Sequence, residues 1–483
     1  MSMEPMSALD ASFLHVEDRN RPMHIGGVSL FEGPPPPFER LLEMVEGKLG
    51  LVPRYRQKVR FVPFGMGAPV WVDDPHFNLG YHVRHTAIPA PGSEEQLRRT
   101  ASRIFSQHLD RSKPLWEMWM VEGLDEGRWA LLSKVHHCMV DGVAATDLMS
   151  LMFDDRSRAG DPGSWMPAPE PRGTELVVRA MARRAFRPRL EVRALEELGR
   201  APLESIVSAL TAARAVVSAG RTLRPASPSS LTGSVGPHRV WAWARIRLGD
   251  VKTIRAAIGG TVNDVVLAVV AQGFRELLES RGEPVDGRTV RTMVPVSVRR
   301  PGEKGVYNNR VSAVFVGLPV GVADPRDRLA AVRAQMDGVK ESRQAVAGDV
   351  LVSLSGFAPP LLLALGSRLM ARSPQLGVHT GVTNVPGPQQ PVETLGRRLR
   401  ESFPYVPLIG PARVVVAIFS FDGSLYFGVT GDADSASDID VLTAGVERGA
   451  SDLLALAAPA RRTRAGAGKK PAREPSGSNG QPA

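Results

Sequence analysis

Two of the ten histidines in this 483-residue chain stand side by side, and an Asp-Gly pair follows them at a fixed offset. The heptad His136-His137-Cys138-Met139-Val140-Asp141-Gly142 offers three kinds of chemistry. A neutral imidazole, with an ordinary pKa of about 6.5, can take a proton from an attacking group near neutral pH. A cysteine next to a histidine can serve as an activated nucleophile. Two histidines and an aspartate can hold a metal ion. No second His/Cys/Asp cluster accompanies the heptad, which argues against a metal. Cys138 sits beside apolar Met139 and Val140, as a small buried filler does.

The flanks position these residues. Trp129–Val135 reads as a strand and Val143–Met152 as a helix. Neighbouring side chains on a strand point to opposite faces, so one histidine would face a cavity and the other the far side. Two packed core histidines before an Asp-Gly turn are the plain structural alternative. Other catalytic signatures are missing: no GxSxG elbow, no Walker loop and no complete GxGxxG. The acidic cluster Asp432, Asp434, Asp438 and Asp440 lacks the glycine and terminal glutamate of a calcium loop.

A chain this long suggests two domains, and 43% hydrophobic content allows two cores. One cysteine permits no internal disulfide and fits a reducing compartment. The N-terminus lacks the basic start and apolar segment of a signal peptide. The longest apolar run, near 351–366, is short for a membrane span and contains Pro359-Pro360. Membrane contact is therefore expected to be peripheral. The net charge is +10, and half of it lies in the Gly/Pro/Ala/Ser-rich segment after Pro459, expected to be a disordered tail. That tail is either an attractor for anionic lipid or a solvated end without a partner. No nucleic-acid-binding module is present, and aromatics do not interleave with the basic run.

The pattern divides the chain into an N-terminal segment 1–160, a Pro-rich connector with a helical insert 161–237, a second domain 238–458 and the tail 459–483. Strands are predicted at 25–31, 69–72, 239–248, 291–298 and 310–317, with a hairpin pairing 413–420 and 424–430. Helices are predicted at 38–49, 94–108, 265–278, 324–341, 358–371 and 440–456. The insert carries a basic helix and an apolar stripe at Leu203, Ile206, Val207, Leu210 and Val217, fitting a domain surface or a membrane interface. Strands alternating with helices in both halves indicate an α/β chain of the α+β sandwich type.

The heptad resembles the HHxxxDG signature of the bacterial wax ester synthase/diacylglycerol acyltransferase family, within the CoA-dependent acyltransferases that carry HxxxD. Further segments resemble the family in order: Leu9–Phe13, Pro22–Gly26, Pro114-Leu115-Trp116, Asn263-Asp264, Val294–Arg299, Asn309–Ser312 and Thr383–Pro388. The resemblance spans about Leu9 to Ala457. It implies two chloramphenicol-acetyltransferase-like domains, each a mixed sheet with flanking helices, around a central tunnel. It also implies His137 as general base, His136 as its support, and Asp141 as a turn-holding residue first and an orienter of His137 second. Gly142 would allow close backbone approach. Asn263 is a candidate oxyanion donor, although Thr261, Asn263 or Asp264 would serve equally as a helix cap. Pro114, Leu115 and Trp116 would shape a substrate channel or simply pack.

The implied activity is O-acyl transfer from acyl-CoA to diacylglycerol, giving triacylglycerol. A long-chain fatty alcohol giving wax ester is the runner-up, and a non-catalytic lipid-droplet coat protein is the competing class. No cofactor is expected, since acyl-CoA is itself a substrate. The expected setting is cytoplasmic, at a membrane surface or lipid droplet.

Overall fold

The computed structural model describes residues 4–139, 165–183, 228–297, 311–341 and 378–457. Strand β1 (Glu4–Pro5) leads into helix α1 (Ala8–Val16), whose N-cap Ser7 accepts the amide of Asp10 at 3.1 Å. Next come β2 (His24–Phe31), α2 (Phe38–Lys48), β3 (Gln57–Arg60), β4 (Val70–Asp73) and β5 (Val83–Ala87). Helix α3 (Glu94–Ser106) starts from a capping box of Ser93 and Gln96 and buries Leu97, Ala101, Ile104 and Phe105 along one side. Strands β6 (Trp116–Glu122) and β7 (Trp129–His136) complete the first half. Residues 173–183 are helical and pack Leu176 against Val62, Val70 and Val72.

The second half runs β8 (Arg239–Arg247), α4 (Leu248–Ile258), α5 (Val262–Ser280), β9 (Val290–Ser297) and β10 (Val311–Leu318). It continues with α6 (Pro325–Glu341), β11 (Thr380–Pro386), β12 (Glu393–Thr394), β13 (Arg397–Tyr405), β14 (Val414–Phe421), β15 (Ser424–Asp432) and α7 (Ile439–Ala457). Asp324 caps α6 by accepting the amides of Arg326 and Asp327, as its place before Pro325 dictates.

Two six-stranded mixed sheets result, in the orders β12-β13-β2-β7-β6-β5 and β10-β9-β11-β14-β15-β8. In the first sheet β5 and β6 run parallel. In the second, β11 runs parallel to both β9 and β14. The α/β class with mixed sheets and flanking helices is therefore observed. One crossing was not expected: β13, deep in the second half of the chain, pairs antiparallel with β2 and completes the first sheet. Residues 393–405 thus leave the segment assigned to the second domain. Arg397, Arg398, Arg400 and Pro404 mask a strand whose inward residues are Leu399, Phe403 and Tyr405.

Both cores are continuous. Trp241 and Trp243 of β8 pack into the first core beside Phe403 and Tyr405. In the second core α5 is buried nearly all round and lies close against α7. Gly273 permits this contact, because a Cβ there would stand 2.6 Å from the carbonyl oxygen of Leu442. The predicted helices at 143–152 and 358–371, the apolar stripe of the insert and the basic tail lie outside the described residues. Among the described residues no single helix is long and apolar enough to cross a membrane.

Candidate active site

The histidine pair sits where β7 ends. The His136 amide donates to the Leu115 carbonyl at 2.9 Å, and the Met139 amide turns back to the His136 carbonyl at 2.9 Å. The strand therefore stops at His136, and His137 already belongs to a turn. Strand alternation therefore does not set the direction of the His137 side chain. Both rings come to rest against α1 and its C-terminal end, on residues one helical turn apart: His136 faces Glu17, and His137 stacks on Phe13.

His136 is fully buried, at 1% exposure. Its Nδ1 accepts the Cys138 amide at 3.1 Å, which assigns the ring proton to Nε2. Nε2 stands 3.5 Å from a Glu17 carboxylate oxygen. Glu17 also accepts from the Arg111 guanidinium at 2.8 Å and from the Met23 amide at 3.1 Å. Burial alone would raise the Glu17 pKa, but the His136 and Arg111 partners outweigh it and hold the carboxyl at about 2. Glu17 is thus a fixed anion that orients one histidine and clamps one arginine.

His137 is only half-buried. Its amide donates to the Met23 carbonyl at 2.9 Å, and its ring lies 3.9 Å from that of Phe13 at an interplanar angle of 16°. The segments Leu9–Phe13 and Pro22–Gly26 therefore have a physical task, since Phe13, Met23 and His24 surround the pair. His24 is the cross-strand partner of His136. It is completely buried with Nε2 2.9 Å from the Phe105 carbonyl, and burial drives its pKa well below the usual value, so it stays neutral. Gly26, two residues on, is obligatory for this approach, because a Cβ there would lie 2.0 Å from the Ser133 carbonyl oxygen. Opposite Gly26, buried Lys134 donates to the Ile104 carbonyl at 3.2 Å, and burial lowers its pKa to about 8.

Cys138 is buried in a cluster with Leu14, Trp71 and Leu115. Burial, reinforced by the Asp10 and Glu17 charges, pushes its thiol pKa well upward. A thiol held protonated is a poor nucleophile, so Cys138→Ala should retain most of its acyl-transfer activity at a stability cost of about 1 kcal/mol. Loss of activity in a Cys138→Ala protein with an unchanged thermal transition would reinstate the thiol. Among the described residues, no group of three or more His, Cys, Asp or Glu side chains is placed to hold a metal ion.

Leu115 and Trp116 are corrected from channel wall to core. They are 0% and 1% exposed. Pro114 is buried before them. Trp116 stacks on His82 at 4.6 Å and donates its indole N–H to the Tyr55 carbonyl at 2.8 Å. The segment acts by holding β6 so that Leu115 receives the His136 amide.

The other motif residues meet on the second sheet. Asp264 is the cap: its carboxylate accepts the Thr261 amide at 2.7 Å, and the Thr261 hydroxyl accepts the Asp264 amide at 3.2 Å. Asn263 instead accepts from the Asn384 amide group at 3.3 Å, joining the Asn-Asp motif to the Thr383–Pro388 segment across 121 residues. Its own NH₂ then remains as a donor. Asp141 and Gly142 lie outside the described residues. Glu17 and Arg111 were missed by sequence reasoning. Their only local signal was a buried-looking helix end followed by His-Leu-Asp-Arg, and 94 residues separate the partners.

The model of the wax ester synthase/diacylglycerol acyltransferase catalytic domain matches residues 6–266, and the model of the C-terminal domain matches residues 307–453. A probable diacylglycerol O-acyltransferase of Mycobacterium tuberculosis is 35% identical over 466 residues, covering 96% of this chain and 98% of the relative. Among solved structures, the wax ester synthase/diacylglycerol acyltransferase of Marinobacter aquaeolei VT8 superposes with a TM-score of 0.69 at 23% identity, covering 94% of this chain and all of that one. A condensation domain of the calcium-dependent antibiotic synthetase shares the fold at a TM-score of 0.59 and 16% identity, covering 95% of this chain and 97% of that domain.

Proposed function

Because the chain belongs to the wax ester synthase/diacylglycerol acyltransferase family and is an acyltransferase, we propose that it transfers a long-chain acyl group from acyl-CoA to the free hydroxyl of diacylglycerol, with His137 as general base. The carrying observation is the contrast within the histidine pair: His136 is sealed in and committed to Cys138 and Glu17, while His137 is partly exposed on the Phe13 ring. The acceptor oxygen attacks the thioester carbonyl as imidazole removes its proton. The tetrahedral intermediate collapses with cleavage of the C–S bond, and the imidazolium returns the proton to the departing CoA sulfur. The products are triacylglycerol and free CoA, with no covalent acyl-enzyme and no cofactor. Asn263 supplies the amide donor suited to the developing oxyanion.

The mycobacterial relative's name favours diacylglycerol as acceptor. The Marinobacter protein's name keeps a fatty alcohol as the second reading. Because acceptor and product are both lipids, we place the reaction at a cytoplasmic lipid surface, membrane or droplet, with peripheral attachment. An assay following free thiol and lipid product, with long-chain acyl-CoA and either diacylglycerol or hexadecanol, tests the reading. Faster CoA release with diacylglycerol, with triacylglycerol formed, is expected. The reverse preference would establish the wax ester reading, and CoA release with neither acceptor would overturn acyl transfer to both.

A further inference from the structure

A cavity of about 580 Å³ opens where one side of α3 meets the first residues of β8 and α7. Arg98, Arg99 and Arg103 line it from α3, Arg239 from β8 and Arg19 from the loop after α1. Among the described residues two carboxylates face it, and both are engaged: Asp440 by Arg98 at 2.5 Å and Glu95 by Arg99. Arg19 and Arg103 are exposed and pair with no carboxylate among the described residues. Arg239 is 3% exposed, pairs with buried Asp432 at 3.7 Å and spends its terminal nitrogens on the carbonyls of Gly236, His238 and Asn20. Its Nε, like the Nε of Arg98, is buried without a hydrogen-bond partner among the described residues. Those two Nε atoms are sealed from the cavity, and the accessible donors are the guanidinium groups of Arg19 and Arg103, so the complementary ligand is an anion rich in acceptors.

The cavity is also coupled to the histidine pair. Arg19 lies two residues beyond Glu17, within about 7 Å of chain. The Phe105 carbonyl holds His24, and the next residue, Ser106, accepts the Arg239 amide at 2.8 Å. An anion seated among these arginines would therefore be one loop away from His136 and His137.

We propose that this cavity binds the phosphate groups of coenzyme A, its diphosphate and 3′-phosphomonoester, leaving the flexible pantetheine arm to carry the thioester toward His137. The proposal rests on the acyl-CoA reading above. Arginine suits the task because its planar fork grips phosphate oxygens two at a time.

The test is calorimetric titration of the full chain with adenosine 3′,5′-bisphosphate, which carries the nucleotide end of the ligand and undergoes no reaction. The variant is the double substitution Arg19→Gln and Arg103→Gln. We expect its Kd to rise about tenfold or more, with a parallel rise in the acyl-CoA KM. Inorganic phosphate at the same concentration should compete weakly. Failure of the native protein to bind the bisphosphate at millimolar concentration would overturn the site, as would an unchanged Kd in the folded double variant or equal competition by inorganic phosphate. If the glutamine pair does not fold, Arg19→Lys with Arg103→Lys decides: it keeps the charge but loses the fork, so weaker binding supports the site and unchanged binding overturns it. Because binding is read without turnover, a protein that binds the bisphosphate but releases no CoA would fail the acyl-transfer reading alone.

Discussion

Replacing His137 with alanine should lower CoA release by roughly 10²–10⁴-fold while the protein stays folded. The rate effect follows from the acceptor. An alkyl hydroxyl does not ionise near neutral pH, and without a base the proton must leave to water in the transition state. The fold should survive because the residue is half-buried and its ring is held by the stack on Phe13. Losing such a pair costs about 1 kcal/mol. The measurement is initial rate at saturating acyl-CoA and acceptor, with a thermal transition recorded on the same preparation. Wild-type turnover by a folded His137→Ala protein would remove the general-base mechanism.

The second large effect is expected at Glu17, a residue with no place in the sequence motifs. Glu17→Ala would leave the Arg111 guanidinium, the Met23 amide and His136 Nε2 facing a buried space without their acceptor. Arg111 is 38% exposed and can turn to water, so the cost falls below that of a fully buried pair, at about 1–3 kcal/mol for the buried donors left without an acceptor, still a sizeable share of the stability of an ordinary protein. Chemical denaturation of the variant measures it, and a loss below about 1 kcal/mol would show the network to be incidental.

Glu17 also predicts a pH dependence. Its carboxyl is held at about 2 in the folded chain against an ordinary value of 4.5. A depressed acid stabilises the fold above the unfolded-state value and loses that contribution as pH falls through the folded-state value. The contribution, on the order of 3 kcal/mol, should be present above pH 4.5 and fade toward pH 2. Glu17→Gln should flatten that part of the stability profile, and parallel profiles for the two proteins would contradict the assignment.

Much of the fold was legible because its signals are local. Short apolar runs marked β2 and β7, alternation marked β8, and the Asp422-Gly423 turn marked the β14–β15 hairpin. Three-to-four spacing marked α2 and α3, Thr261–Asp264 marked the start of α5, and Asp324 before Pro325 marked the start of α6. The heptad and its accompanying motifs were legible for the same reason, as runs of adjacent residues that place the chain in its family.

What tertiary structure alone decided are pairings between distant residues. The chain pattern contains no term that ties Glu17 to Arg111 across 94 positions or Asn263 to Asn384 across 121. Strand β13 joined the first sheet because Leu399, Phe403 and Tyr405 find an apolar face there, a preference invisible until both sheets exist. Packing likewise moved Leu115 and Trp116 from channel to core, and gathered Arg19, Arg98, Arg103 and Arg239 from three separate stretches around one cavity. Sequence specifies which groups are available. Burial and distance, which set hydrogen bonding and pKa, exist only once the sheets and helices have closed around them.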